Sequence, residues 1–565
     1  MKNFLISLLG VFSFVCSMAQ TIEQFPIVGG VTNKQAKIYI RTSAPTAVEI
    51  QYSKFANFST YSSLNTTTTS ANYNAYTFPL NALSNNTVYY YRFLLNGNYF
   101  FQGRSFKTFP APNKAGYYKI LSGSCVNFPE SVPIFDLMAT ENANLFLMTG
   151  DWGYPDTTET MPGNNLFFSR IFNIVLNSYK AKYTSPQLMN LLNNMPMDYN
   201  YDDHDYMNDN CSKSSSSYYS GLIVQEVNAP AACRANSIKG YNKFFPHYTL
   251  SNPNVNGIYH SFKLGNAEFF VLDCRSNRSP NTEGLSYSLF GGTFNPPASH
   301  TMLGTTQLNW LTNGLNNSTA TWKFIISSVC FNKAQEQVLD YVLNIPLLGV
   351  NAAAAIIDSW AGFKTDQQTL LNSISANNIK NVFVVSGDSH TSAIDDGANG
   401  GLPEMMAANL LQTNSQLANI YSGFGFNIWN QGGQGLGNSN YNNTYGKIEI
   451  FNNDSMKFSI VDEFGTLITK YTAHNQNLSP RTEEQLQIPA YNIYTSGEQL
   501  YVKSYNGLDE SNGTIHIYNT AGELVEEFSF NGNYNTYNLS AISSGIYIVQ
   551  IATADGISTH KIWKK

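Results

Sequence analysis

Three short apolar runs, far apart in the chain, each end on a side chain that can bind a metal. Tyr117–Ser124 runs into Cys125, Asn144–Gly150 into Asp151, and Asn381–Gly387 into Asp388, with His390 two residues on. Continuous apolar runs of this length read as strands buried on both faces. In open α/β sheets, ligands bind just beyond the carboxyl ends of such strands. The fold expected of this chain therefore brings a thiolate, two carboxylates and an imidazole to one sheet edge, the layout of a metallohydrolase.

The chain has 565 residues, too many for one core, so several domains are expected. Only 12% of residues are charged and the net charge is -6, which leaves no basic field for nucleic acid or anionic membranes. Residues 1–19 read as a secretory leader. Lys2 gives the charged start, Phe4 to Val15 the apolar core, and Ser17-Met18-Ala19 a small-x-small cleavage site before Gln20. The apolar stretch is too short to span a bilayer. Ser13-Phe14-Val15 is a poor approach to a lipidated Cys16, and no later segment is a credible membrane span. Of six cysteines, the leader removes Cys16 and leaves five, an odd number in an oxidising compartment. Cys211 and Cys233 flank a loop-rich insertion and form a candidate disulfide. Cys274 and Cys330 sit in strand-like runs, and Cys125 is left over.

Residues 20–112 read as a small β-sandwich of fibronectin type III kind. Its strand candidates are Ala36–Arg41, Val48–Tyr52, Ala75–Leu80, Val88–Leu95 and Ser105–Phe109, between Pro, Asn and Gly turns. From 113 to 475 strands alternate with helical patterns, including Pro186–Asn194 and Gln307–Leu315, as in an α/β domain. Residues 476–490 read as a linker. From 491 to 565 short strands return, at Leu500–Lys503, Ile515–Asn519, Leu524–Phe530 and Tyr547–Ile551. Gly432–Gly437 lacks a nucleotide-loop pattern and reads as a flexible loop.

Four constellations carry chemistry. Gly150-Asp151-Trp152-Gly153-Tyr154 offers a bridging carboxylate and a phenolate. Tyr201-Asp202-Asp203-His204-Asp205-Tyr206, with Asn208 after it, packs carboxylates around one His, a density that repels itself unless cations neutralise it. It lacks the glycine and terminal Glu of an EF-hand loop. Gly387-Asp388-Ser389-His390 fits either a metal site or an esterase serine block, but no G-x-S-x-G elbow supports a serine nucleophile. Asp273-Cys274-Arg275-Ser276-Asn277-Arg278 offers arginines that grip phosphate or form structural ion pairs.

With Ser122-Gly123-Ser124-Cys125, Leu303–Leu311 and Asp358-Ser359-Trp360-Ala361-Gly362-Phe363, these motifs occur in an order that resembles the PhoD-like alkaline phosphatase and phosphodiesterase family of the calcineurin-like metallophosphatases. Asn86–Arg92 and Ser105–Pro110 resemble that family's N-terminal domain. The resemblance implies a four-layer α/β catalytic domain that uses a metal-activated hydroxide to hydrolyse phosphoric mono- or diesters. It implies Fe(3+) with Ca(2+): Cys125 and Tyr154 on iron, Asp151 bridging, and Asp203, Asp388 and His390 completing the cluster with Asn208. His204 would contact the phosphate or leaving group, and Arg278 would hold the phosphate. Tyr201 stands where the family often has Trp. Gly513–Gly522, Leu539–Gln550 and the basic end Lys561–Lys565 resemble a type IX secretion sorting domain, which implies export to the surface or beyond and engagement of that machinery. The competing readings are a serine esterase built on Ser389 and His390, and a non-catalytic surface adhesin.

Overall fold

The computed structural model describes residues 21–564 except 128–131, 156–166, 221–222, 253–256, 289, 346–348, 412–425, 427, 437–441, 478–490, 505–511, 532–533 and 554–555. The expected leader and almost all of the expected linker lie outside the described residues. The chain divides into two compact units, Met1–Asn477 and Leu478–Lys565.

Two sheets form the centre of the first unit. One has six strands in the order Met197–Asn200, Leu145–Thr149, Tyr117–Gly123, Thr444–Phe451, Ser455–Asp462 and Leu467–His474. The other has seven, ordered His260–Leu264, Ala267–Val271, Trp322–Ile326, Val382–Ser386, Glu404–Ala407, Ser392–Asp395 and Gly433–Gln434. Side chains alternate across each strand, so each run serves two layers. Ile120, Leu147 and Phe458 face a shared core with Phe269, Phe324 and Val385 of the second sheet. Phe324 and Phe458 meet across the sheets with ring centroids 6.4 Å apart. The alternate residues face outward. Leu121 and Phe146 pack under helices Phe172–Lys182 and Ala232–Phe244. Phe270, Ile325 and Val384 pack under Gly304–Asn317 and Lys364–Ala376. The result is helix, sheet, sheet, helix.

Parallel register aligns the strand ends. Gly123 pairs with Met148 and Thr149 with Asn200 in the first sheet; Val271 pairs with Ile326 and Ile326 with Val385 in the second. Cys125, Asp151 and Asp203 therefore leave one sheet along one edge, and Arg275, Ser328 and Asp388 leave the other likewise.

Residues 22–107 form two sheets, of three and four strands, whose buried side chains join the same core. The sequence candidates there are all strands, Ser105–Phe109 being the end of a longer one, Asn98–Lys107. Ile22–Gly29 and Ser62–Thr67 are additional. The second unit also has a three-stranded and a four-stranded sheet around Leu500, Val502, Ile515, Ile517, Val549 and Ile551.

One expectation is overturned within the glycine-rich stretch. Gly433–Gln434 is not a free loop but a short edge strand paired with Ser392–Asp395. A Cβ on Gly433 would sit 2.3 Å from the Ser392 carbonyl oxygen, so glycine is what allows the strands to approach. Among the described residues no helix is long and apolar enough to cross a membrane.

Candidate metal centre

The residues that leave the strand ends do so in an uncommon backbone conformation. Cys125 (φ 60), Asp151 (φ 55), Asp388 (φ 73) and His390 (φ 49) all lie in the left-handed region. Such strain persists only where the surroundings over-determine it, and it clusters at functional sites. Small neighbours let the loops close. A Cβ on Gly150 would lie 2.6 Å from Asp202 Cβ, and one on Gly387 would lie 2.6 Å from Ser124 Oγ.

The loops bring three overlapping sets of donors together. Cys125, Asp151 and His390 form one; Asp151, Asp203 and His204 a second; Asp151, Asp202, Asp203 and Asp388 a third. Within each set the donor atoms all lie within 4.8 Å of one another. Asp151 belongs to all three, so its carboxylate is the donor they share. Cys125 Sγ is 3.6 Å from Asp151 Oδ2. The Tyr154 hydroxyl is 3.3 Å from that same oxygen and 3.3 Å from His390 Nε2. The other oxygen, Asp151 Oδ1, is buried and accepts no hydrogen bond from the protein. The His204 ring packs on Tyr154, with centroids 4.1 Å apart. Asp388, with a side chain 19% exposed, marks where the cluster reaches solvent.

The electrostatics of this cluster ask for cations. Burial, then the Asp203 charge, pushes the Asp151 carboxyl well above the usual range. Burial and the Asp358 and Asp202 charges do the same to Asp388. Burial and Asp151 raise the Cys125 thiol and the Tyr154 phenol. Asp203 is the exception: burial works against its charge, but Arg275, His204 and the Asn210 N–H outweigh it and hold its carboxyl low. Protein groups alone thus favour the protonated forms of Asp151, Asp388, Cys125 and Tyr154. Divalent or trivalent ions would reverse that, because coordination favours the deprotonated forms. The orphaned Asp151 oxygen and the mixed set of thiol, phenol, imidazole and carboxylates fit a metal-binding site.

A buried ion-pair network backs the cluster. Arg275 Nε is 2.5 Å from Asp202 Oδ1, and its Nη1 and Nη2 are 2.9 and 2.8 Å from the two oxygens of Asp358. Its Nη2 is also 3.8 Å from both Asp203 and Asp388. Asp202 is therefore in the cluster but already engaged. Arg278 sits beside Asp358 in the same network. It is 1% exposed, donates to Asp358 and Asn281, and stacks on Phe363 at 4.5 Å. Its guanidinium supports Asp358 and is enclosed with it. The Asn208 amide oxygen accepts the N–H of Asp209 at 2.9 Å. The candidate disulfide is also overturned. Cys211 and Cys233 are both free and buried, and the Cys211 thiol faces the Asp203 carbonyl at 3.7 Å.

Three groups that matter here were not singled out as site residues in the sequence. Asp205 accepts the Trp152 N–H at 3.1 Å and pairs with the buried Lys182. Asp358 joins the two arginines. Asp205 and Asp358 stood inside quoted motifs; Lys182, at the end of an ordinary helix, carried no signal.

Residues 120–479, more than half of the chain, match the model of the PhoD-like phosphatase family. The chain belongs to that family. Alkaline phosphatase D of Bacillus subtilis (strain 168) is 28% identical over 331 residues, covering 55% of this chain and 52% of the relative. The chain thus spans about half the length of the curated relative it matches. Among solved structures, a structure of PhoD superposes with TM-score 0.61 at 18% identity, over 80% of this chain and 90% of that one. A purple acid phosphatase from yellow lupin (Lupinus luteus) seeds gives TM-score 0.50 at 10% identity, over 79% and 73%. At these identities the superpositions show a shared metallophosphatase-like α/β fold and nothing finer. Residues 496–565 match the secretion system C-terminal sorting domain, which marks the chain for export.

Proposed function

We propose that this chain is an exported, metal-dependent phosphoric ester hydrolase acting on phosphoric mono- or diesters. The observation that carries the reading is Asp151, a buried carboxylate with one oxygen unpartnered, shared by three donor sets. In this reading Cys125 and Tyr154 would hold Fe(3+), Asp151 would bridge, and Asp203, Asp388 and His390, with Asn208, would complete the cluster that also takes Ca(2+). Thiolate and phenolate suit ferric iron and carboxylates suit calcium. Bound there, such ions lower the pKa of water and offset charge on a phosphoryl group.

The chain's own groups do the rest. The left-handed turns at Cys125, Asp151, Asp388 and His390 fix the donors before substrate arrives. His204, with a side chain 13% exposed beside Tyr154, gives a proton to the leaving oxygen or holds a phosphate oxygen. Arg275 pairs with Asp202 and Asp358 behind the donors and opposes the burial that raises the Asp202 carboxyl. We read residues 20–112 as a fibronectin III-like module, 113–475 as the catalytic domain, 1–19 as a leader, and 491–565 as the part engaged by type IX secretion machinery.

The test is hydrolysis of p-nitrophenyl phosphate and bis-p-nitrophenyl phosphate by the mature chain, before and after chelation, with Asp151→Asn alongside. The reading expects turnover of at least one substrate, lost with chelator and in the variant. Turnover that resists chelation and is stopped by a serine-reactive reagent would replace it with the esterase.

A further inference from the structure

Asp205 is held by both loops that carry the central donors. Its carboxylate accepts the Trp152 N–H at 3.1 Å, next to Asp151, and the Asp202 N–H at 3.2 Å, next to Asp203. One side chain therefore sets the span between Asp151 and Asp203. It does so as a buried charge: both Asp205 and Lys182 have side chains that are 0% exposed, and they are in direct contact. Lys182 in turn donates to the Tyr199 hydroxyl at 2.8 Å. Its ammonium lies 4.8 Å from the Tyr179 ring centroid and 4.9 Å from that of Tyr199. Tyr199 belongs to the strand that leads into Asp202, and Lys182 ends the helix packed on the same sheet. The ammonium thus has no solvent to satisfy it and is fixed from three directions.

We propose that Lys182 is a positioning residue for the metal cluster, acting through Asp205 to hold the Asp151 and Asp203 carboxylates at coordinating separation. This rests on the metal reading above. A pair meant only for stability would be better replaced by apolar side chains, since burying two ions costs several kcal/mol before their attraction returns any. What the charged pair adds is direction. An ionised carboxylate accepts from both loops and from Lys182 at once, whereas a neutral amide in its place has one accepting oxygen, with two lone pairs, for the three donors. Partners that orient metal ligands from behind typically change metal affinity about 10- to 100-fold when removed.

The experiment measures metal, not turnover. The mature chain, the double variant K182M/D205N, and Lys182→Arg are equilibrated with calcium and ferric citrate, dialysed, and analysed for bound iron and calcium by mass spectrometry, with melting temperature recorded. The double variant carries no unpaired buried charge, and Lys182→Arg keeps the charge while moving the donor, so neither leaves a lone buried ion. The proposal expects a fall in metal affinity of about 10-fold or more in each folded variant, out of proportion to any loss in the metal-free melting temperature. Folded variants that bind metal as the parent does, and are merely less stable, would overturn it. A parent that binds neither metal would instead refute the metal reading itself.

Discussion

Replacing Arg275 with Met should destabilise the first unit by about 3–4 kcal/mol at neutral pH, toward the low end of what breaking a buried ion pair costs. The guanidinium is 0% exposed and lies between two carboxylates. Methionine fills much of the volume but carries no charge. Asp358 would keep Arg278 Nη2 at 2.8 Å and Asn281 Nδ2 at 2.6 Å, so its loss is partial. Asp202 would keep only the Ser328 hydroxyl, at 2.7 Å, among its present side-chain donors, and it bears most of the penalty. The pH dependence follows. Burial, against the pull of Arg275, already pushes the Asp202 carboxyl from 3.8 to about 6. Removing Arg275 raises it further. A carboxyl whose folded pKa is raised takes up its proton first in the folded state, so folding gains stability as pH falls through that pKa. The penalty should therefore be largest near pH 8 and shrink toward about pH 5. Urea unfolding of chelator-treated protein at both pH values, followed by tryptophan fluorescence, reads it directly. A loss below about 1 kcal/mol, the size expected of an exposed pair, would refute the reasoning. So would a penalty that does not change with pH.

Other outcomes follow from the same geometry. Gly387→Ala would place a Cβ 2.6 Å from Ser124 Oγ and 2.7 Å from the Thr149 carbonyl, and one of these strand ends must move. We expect a loss of about 1–3 kcal/mol by overpacking, together with reduced metal content, read from melting temperature and elemental analysis. Phe324→Ala would open a void between the two sheets and cost about 3–5 kcal/mol in urea unfolding, with the metal content unchanged. Alkylation of unreduced, urea-unfolded protein should label Cys125, Cys211, Cys233, Cys274 and Cys330 alike, all five being free; a mass showing only three labels would restore the disulfide.

What was legible in the chain is what local pattern encodes. The runs ending at Cys125, Asp151 and Asp388 are β-strands because uninterrupted apolar residues need burial on both faces. Their order in the two sheets then delivers the donors. Pro186–Asn194 and Gln307–Leu315 mark real helices, Pro186–Leu191 and Gly304–Asn317, since each has its own periodicity. Ile22–Gly29 was missed because Pro26 interrupts it, and Ser62–Thr67 because its polar residues sit on an exposed edge. The roles of Arg275, Arg278, Asp358 and Lys182 were not legible for a different reason. Whether a buried arginine grips substrate or a carboxylate 80 residues away depends on contacts that no local spacing records. The Cys211–Cys233 pairing failed likewise: counting thiols says nothing about which directions they face.

The most direct measurement is the iron and calcium content of the purified mature protein, determined by inductively coupled plasma mass spectrometry, beside that of Cys125→Ser. The account predicts both metals in the parent and iron lost from the variant, since the Cys125 thiolate is the softest donor at the site. A parent that remains metal-free after iron and calcium are supplied would contradict it.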